Sequence, residues 1–207
     1  MPQDDAAPSD HYFTAQPASA EDLRTIRVRL AGQEIEADVA AGVFSPGGVD
    51  KGTTILLGEV PAPPSSGDLL DLGCGWGPIA LTLALRSPEA TVWAVDVNER
   101  ALDLTRRTAE RLGLDNVRAV TPDDVPEDVR FAAVWSNPAI RIGKEALHEM
   151  LRRWLTRLAP GADAWLVVSK QLGADSLAGW ISSDLGLPTN REATSKGFRI
   201  LRATRPA

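Results

Sequence analysis

The feature that most constrains the fold is an alternation of strand and helix patterns that begins at Asp68. The segment "DLLDL" has the pattern of a short buried strand, and "GPIALTLALRS" that of a helix with apolar residues at three-and-four spacing. The alternation continues through the strand pattern "ATVWAVDV" and reaches a further strand pattern at "RFAAVWS". It predicts a doubly wound, mostly parallel sheet of the α/β class.

The last third of the chain predicts how this sheet ends. The segment "KEALHEMLRRWLTRLAPG" predicts a long helix that stops at its Pro-Gly pair, and "ADAWLVVS" predicts another strand. The final segment "TNREATSKGFRILRATR" predicts two strands that turn around Ser195 to Gly197. We therefore expect a seven-stranded, mostly parallel Rossmann-like sheet with an antiparallel C-terminal hairpin.

The N-terminal part of the chain has a different pattern. Residues 1–10 are acidic and proline-containing, and we expect them to form a disordered lead. Two short alternating stretches, "TIRVRL" and "EIEADV", predict a small β-hairpin, which is too small to be stable alone. We therefore expect one domain over 11–207, with residues 11–60 as an N-terminal extension docked on a core formed by residues 67–207.

Composition excludes several classes of protein. A net charge of −6 argues against bulk electrostatic capture of nucleic acid, although it leaves room for a local basic patch. The only cysteine is Cys74, so no internal disulfide can form, which fits a reducing compartment. Two histidines and one cysteine are too few for a typical metal site. There is no apolar run long enough for a membrane span, and we expect a cytoplasmic protein.

The strongest single motif is the glycine-rich loop after the first core strand, "DLLDLGCGWGP". In open α/β sheets, ligands bind beyond the carboxyl ends of the strands. Gly73, Gly75 and Gly77 allow the backbone to turn tightly and approach a ligand closely. In a dinucleotide loop a third glycine would stand where this chain has Pro78, so a nicotinamide cofactor is disfavoured.

Two acidic residues narrow the choice of ligand. Asp71 lies two residues before the first glycine, where a carboxylate favours a cationic ligand such as S-adenosylmethionine. The spacing resembles the cofactor loop of class I methyltransferases. Asp96 ends the next strand, where an acidic side chain can accept hydrogen bonds from both hydroxyls of a ribose. Asp96 alone does not distinguish S-adenosylmethionine from a dinucleotide.

The segment "SNPAI" follows the fourth core strand, so Asn137 is predicted at the same edge of the sheet as the glycine loop. A base amine is a poor nucleophile because its lone pair is delocalised into the ring. The Asn137 side-chain oxygen and the Pro138 carbonyl can accept its two N–H groups and stabilise the charge that develops on nitrogen. An ordinary strand-ending turn is the alternative interpretation.

Taken together, five segments resemble the ribosomal RNA small subunit methyltransferase C family, in the same order along the chain. They are "GVFSPGGVDKGTTILL", "DLGCGWGP", "VDVNERAL", "SNPAIRIGKEALHEML" and "SKGFRILRA". The resemblance implies transfer of a methyl group from S-adenosyl-L-methionine to guanine N2 in 16S rRNA. It implies 16S rRNA or the 30S subunit as partner. We expect a monomer that needs neither a metal nor a membrane.

The resemblance also implies roles for further cofactor-binding residues. An Asp after the third strand would contact the adenine amino group, with Asp124 as first candidate and Asp123 as second. The "VFS" to "DKGT" loop would cover the methionine end of the cofactor. Its candidates are Phe44, Lys51, Gly52 and Thr53, and Thr53 is the expected donor to the cofactor carboxylate.

On the substrate side, the family motif has a second proline where this chain has Ala139. Alanine keeps Asn137 and the Pro138 carbonyl but leaves φ less restricted. The resemblance implies that Ile140 contacts the target base, and that Arg141 and Lys144 flank the pocket and can bind phosphates.

Two other functions fit the same residues. One is N-methylation of a protein glutamine or a small amine, which uses a related Asn-Pro-Pro motif. The other is a non-catalytic, cofactor-binding paralogue that binds the ribosome, for which Ala139 is the main argument. Binding of S-adenosylmethionine without transfer to any RNA would favour the paralogue.

Overall fold

The computed structural model describes residues 23–207, except for the side chain of Arg141. The expected disordered lead over 1–10 lies outside this range. Nine strands are present in the described part: β1 Leu23–Leu30, β2 Gln33–Ala40, β3 Ser66–Leu72, β4 Glu89–Val95, β5 Val117–Val120, β6 Phe131–Ser136, β7 Leu158–Ser169, β8 Thr189–Ser195 and β9 Phe198–Thr204. The five α-helices there are α1 Lys51–Glu59, α2 Pro78–Arg86, α3 Glu99–Arg111, α4 Lys144–Leu155 and α5 Ala174–Asp184.

Seven strands form the main sheet, in the order β5-β4-β3-β6-β7-β9-β8. All pairs from β5 to β7 are parallel, whereas β9 is antiparallel to both β7 and β8. The predicted sheet and its terminal hairpin are therefore confirmed. The chain runs from β3 outward to β5 on one side and returns to β6 on the other, so a crevice forms beyond β3.

The core lies on both faces of this sheet because successive residues of a buried strand point to opposite sides. In β3, Leu69 packs in the cluster that includes α1 and α2, whereas Leu70 and Leu72 pack in the cluster that includes α4 and α5. The three leucines are at most 2% exposed. Both faces of the sheet are thus covered, as parallel sheets require.

The N-terminal hairpin is also confirmed: β1 and β2 pair along their whole length and turn at Ala31-Gly32. It packs on α3 through a third apolar cluster that includes Leu30, Val39 and Leu104. The Arg111 side chain donates two hydrogen bonds, of 2.9 and 2.7 Å, to the largely buried carboxylate of Asp38. These contacts attach the extension to the core.

The predicted end of α4 is wrong. The helix stops at Leu155, and the Pro160-Gly161 pair lies within β7 rather than at a helix end. Leu158 is fully buried and pairs with Phe131 of β6, so the burial of Leu158 and this strand pairing end the helix early. Gly161 has a φ of +76°, and the β6–β7 register shifts in this region, which accommodates the proline.

Within residues 23–207, no helix is long and apolar enough to cross a membrane. In the same part of the chain, no three or more His, Cys, Asp or Glu side chains form a group that could hold a metal ion.

Candidate active site

The glycine loop follows β3 and is held against the end of β4. The backbone N–H groups of Gly73 and Cys74 both donate to the Val95 carbonyl, at 2.8 and 3.1 Å. Gly73 and Gly75 have φ values of +76° and +55°, in the region that favours glycine. A Cβ at Gly73 would have no atom within 4 Å, so this side of the loop is open to a ligand.

Gly77 has a different environment from the other two glycines of the motif. It is the N-cap of α2 with a φ of +92°, and a Cβ there would lie 2.7 Å from Oγ1 of Thr105 in α3. Its missing side chain therefore allows α3 to pack against the loop. The predicted direct role of Gly77 in cofactor binding stays a prediction, and the geometry gives it a packing role.

Asp71 is fully buried beneath the loop. Its Oδ2 accepts a hydrogen bond of 2.8 Å from the backbone N–H of Ala80, whereas its Oδ1 has no hydrogen-bond partner among the described residues. Burial raises the pKa of Asp71 from 3.8 to about 8, which favours the protonated carboxyl at neutral pH. A cationic group bound nearby, as the sequence predicts, would favour the ionised form of Asp71 and lower this pKa.

Asp96 lies at the end of β4, facing the loop. Its Oδ2 accepts from the Gly75 N–H and its Oδ1 from the Asn98 N–H, both at 2.9 Å. Burial raises the pKa of Asp96, while these two backbone donors oppose the shift. Each carboxylate oxygen retains lone-pair capacity, so acceptance from two ribose hydroxyls stays a prediction that the geometry permits.

Asn137 follows β6 and reaches the same crevice. Its Nδ2 donates to Oδ2 of Asp50 at 2.7 Å and to Oγ1 of Thr53 at 3.1 Å. The Thr53 hydroxyl in turn donates to Asp50 at 2.6 Å, and the Thr53 side chain is almost fully buried. Donation from the Thr53 hydroxyl to a cofactor carboxylate, which the family resemblance implies, would therefore require the hydrogen bond from Thr53 to Asp50 to break.

The backbone after Asn137 makes a tight turn. Ala139 has φ −71° and ψ 73°, the geometry of an inverse γ-turn. The Ile140 N–H closes the turn by donating to the Pro138 carbonyl at 2.8 Å. A carbonyl oxygen has two lone pairs, so the Pro138 carbonyl can still accept one further hydrogen bond.

Two openings meet at Asn137. The first is a narrow recess of about 20 Å³ between the glycine loop and the loop that carries Phe44, and it includes Gly73 and Gly75. The second is a wider cleft of about 650 Å³. Phe44, Asp50 and Asn137 line both openings.

The wider cleft has an apolar wall beside a few polar groups. Ile140, Leu172 and Phe198 line it together with Pro138, which agrees with the predicted position of Ile140. Lys144 is exposed at the start of α4, immediately after the segment that lines the cleft. The side chain of Arg141 lies outside the described part of the structure, and its phosphate-binding role stays a prediction.

The two acidic candidates after β5 have different partners. Asp124 accepts from its neighbour Thr121 at 2.6 Å, and Asp123 forms an exposed 2.9 Å ion pair with Arg153 of α4. Among the described contacts, the Asp124 carboxylate forms no ion pair with α4. Asp124 remains the better candidate for the adenine amino group, and the role of either residue stays a prediction.

Comparison with known proteins gives the family. The family model described as "Methyltransferase small domain" matches residues 34–202. The chain belongs to this family. It is a methyltransferase, and S-adenosylmethionine is its methyl donor. Within that family, the open side of Gly73 leaves room for the cofactor beside the loop.

This chain aligns with different shares of the sequences of its named relatives. The protein YbxB of Bacillus subtilis is 34% identical over 171 residues, which are 81% of this chain and 85% of the relative. The ribosomal RNA small subunit methyltransferase C of Pseudomonas aeruginosa is 36% identical over 182 residues, or 85% of this chain. That match spans only 53% of the Pseudomonas protein, so the chain corresponds to about half of it.

A solved structure supports the fold. The T. thermophilus 16S rRNA N2 G1207 methyltransferase, in complex with AdoMet and guanosine, superposes with a TM-score of 0.78 at 23% identity. The superposition covers 91% of this chain and 52% of that protein. In this chain Gly73, Asp96 and Asn137 directly follow the parallel strands β3, β4 and β6, so they lie at one edge of the sheet.

Sequence reasoning missed one residue of the site, Asp50. Its position before α1 is a typical N-cap signal, which predicts a helix start. The sequence gives no sign that the same carboxylate reaches Asn137, 87 residues later in the chain. The contact exists because α1 packs on the face of the sheet at β7 and β9, with its first turn next to the end of β6.

Proposed function

We propose that this methyltransferase acts on an amino nitrogen of RNA, and that guanine N2 in small-subunit rRNA is its target. The observation that carries the proposal is the position of Asn137 between the wider cleft and the narrow recess, which we assign to the methyl donor. A nucleophilic nitrogen bound at Asn137 would lie between its own binding cleft and the methyl donor. The names of the Pseudomonas and T. thermophilus relatives support guanine N2 of 16S rRNA as the target.

In this mechanism the cleft binds the target base and the turn binds its amine. Oδ1 of Asn137 and the Pro138 carbonyl accept the two N–H groups, which orients the nitrogen lone pair towards the cofactor side. S-adenosylmethionine, when bound, supplies the electrophilic methyl group. The two oxygens stabilise the positive charge that develops on nitrogen, and the amine proton then leaves to solvent through the open cleft.

The apolar wall favours a base over a flexible side chain as the substrate. Phe198 gives an aromatic surface and Ile140 an aliphatic one, and both can contact the faces of a base removed from its stack. Lys144 is exposed next to the segment 137–142, which lines the cleft, and Lys170 is exposed within the segment 167–172, which also contributes to the lining. Both lysines can contact phosphates. These local cations would act despite the net charge of −6.

The test is a panel of substrates with labelled S-adenosylmethionine. Undermethylated 30S subunits, naked 16S rRNA and a glutamine-containing peptide are incubated with the protein, and digested RNA is separated into nucleosides. The proposal predicts N2-methylguanosine from RNA and no label in the peptide. Label in the peptide alone would support the glutamine alternative. Cofactor binding with no transfer to any substrate would support the non-catalytic paralogue.

A further inference from the structure

The carboxylate of Asp50 accepts hydrogen bonds from two different parts of the molecule. Its Oδ1 accepts from the Gly52 N–H at 2.6 Å, and its Oδ2 accepts from the Thr53 N–H at 3.2 Å, which caps α1. The same Oδ2 accepts from the Thr53 hydroxyl at 2.6 Å and from Nδ2 of Asn137 at 2.7 Å. One half-buried side chain thus connects the start of α1 to the end of β6.

These contacts fix which way the Asn137 amide points. An ionised carboxylate only accepts hydrogen bonds, so the amide atom facing Asp50 must be the NH2 group. Thr53 strengthens this choice because its hydroxyl proton is already donated to Asp50, which leaves Oγ1 as an acceptor for Nδ2. The amide oxygen of Asn137 must therefore point away from Asp50.

We propose that Asp50 is a positioning residue that anchors the Asn137 amide so that its oxygen faces the substrate amine. The inference rests on the proposed role of Asn137 as an acceptor for that amine. Without the anchor, the Asn137 amide can rotate and turn its NH2 group towards the substrate amine. Two N–H donors cannot form a hydrogen bond with each other, so the amine would lose this acceptor. The carboxylate also polarises the amide, which makes Oδ1 a stronger acceptor.

A general-base role for Asp50 fits the geometry less well. Four donors already use its two oxygens: two backbone N–H groups, the Thr53 hydroxyl and the Asn137 amide. Gly52 allows this close assembly, since a Cβ there would lie 3.3 Å from Nδ2 of Asn137 and 3.2 Å from the Asp50 carboxylate. The arrangement fixes an amide in place and leaves little capacity for a transferred proton.

The substitution Asp50→Ser distinguishes the anchoring of Asn137 from the capping of α1. Serine is as good an N-cap as aspartate, but its shorter hydroxyl cannot bridge to Asn137. A residue that only caps α1 would leave kcat unchanged after this substitution. The positioning role predicts that kcat for methyl transfer falls roughly 100-fold, as after loss of one charge-stabilising group, while the melting temperature stays near that of the native protein.

Glu59→Gln is the matched control, because it removes an exposed carboxylate from the other end of the same helix. We expect native kcat for this variant. Full activity in Asp50→Ser would overturn the proposal.

A second measurement does not depend on knowing the substrate. In the native protein, the side-chain NH2 protons of Asn137 should exchange with water more slowly than those of the exposed Asn190, as measured by 15N-resolved NMR. In Asp50→Ser the Asn137 exchange should approach that of Asn190. Fast exchange in the native protein would overturn the anchor itself. Slow exchange without methylation of RNA would keep the anchor and contradict the proposed substrate.

Discussion

At the scale of single residues, the site depends on polar groups whose neighbours decide their role. Asp71 and Asp96 both follow apolar strands, and the sequence predicts a cofactor role for each. The structure separates them: Asp71 is buried beneath the loop, whereas Asp96 caps backbone N–H groups at its rim. A sequence pattern cannot show this difference, because burial depends on how α2 and the loop pack over β3.

The buried Asp71 carboxyl should make stability depend on pH. Its pKa rises from 3.8 to about 8 on folding, so between these values the folded protein keeps a proton that the unfolded chain has released. The stabilisation is complete below about pH 4 and is lost as pH rises through about 8. Relative to Asp71→Asn, the native free energy of unfolding should fall by up to about 1.4 kcal/mol per pH unit in this window. Urea denaturation at several pH values measures it, and parallel curves for the two proteins would contradict the expectation.

The glycines of the loop should differ when each is replaced by alanine. Gly77→Ala combines a positive φ with a contact of 2.7 Å to Thr105, and we expect it to cost about 2–4 kcal/mol of stability. Gly73→Ala also places alanine at a positive φ, but without a close contact, and should cost about 1 kcal/mol of stability. Its methyl group would point to the open side of the loop, where we expect the cofactor to bind.

Chemical denaturation and calorimetric titration with S-adenosylmethionine separate the two effects. The larger loss of cofactor affinity should belong to Gly73→Ala, and the larger loss of stability to Gly77→Ala. The reverse order would mean that the loop binds its ligand through Gly77. The glycine spacing predicts the loop, but only the packing of Thr105 shows that Gly77 and Gly73 have different roles.

At the scale of elements, periodicity predicts most of the fold. The strand patterns at "DLLDL" and "RFAAVWS" correspond to β3 and β6, and the final segment forms the antiparallel pair β8 and β9. The end of α4 could not be predicted, because it depends on Leu158 pairing with a strand that lies far away in the sequence. Helix signals in the sequence depend on residues a few positions apart, whereas strand pairing in this sheet joins residues that are tens of positions apart.

The turn after β6 should accept the proline that the family motif contains. Ala139 has a φ of −71°, close to the proline value, and proline keeps the Ala139 carbonyl that accepts from Ile142. We expect Ala139→Pro to stabilise the protein by about 0.4–1 kcal/mol, by restricting the unfolded chain, and to retain methyl transfer.

Ile140→Pro is the matched control, since it removes the N–H that donates to the Pro138 carbonyl. This control should be destabilised. Thermal denaturation compares the two variants, and equal destabilisation of both would show that the turn does not have the inverse γ geometry.

At the scale of the whole molecule, the site depends on chain segments that are distant in sequence. The glycine loop, the Phe44 loop and the Asn137 turn come from three separate segments, and the narrow recess and the wider cleft meet where they converge. Parallel topology predicts that Gly73 and Asn137 share an edge of the sheet. It does not predict Asp50, because α1 lies outside the alternation of strands and helices that defines the core.

The measurement that tests the account most directly is single-turnover transfer of labelled methyl to undermethylated 30S subunits, by the native protein and by Asn137→Ala, each saturated with S-adenosylmethionine. Cofactor occupancy is matched by calorimetry, so that only the chemical step is compared. The account predicts N2-methylguanosine from the native protein and a rate at least about 100-fold lower in the variant. Equal rates for the two proteins would contradict the role of Asn137, and no transfer by the fully occupied native protein would contradict the proposed reaction.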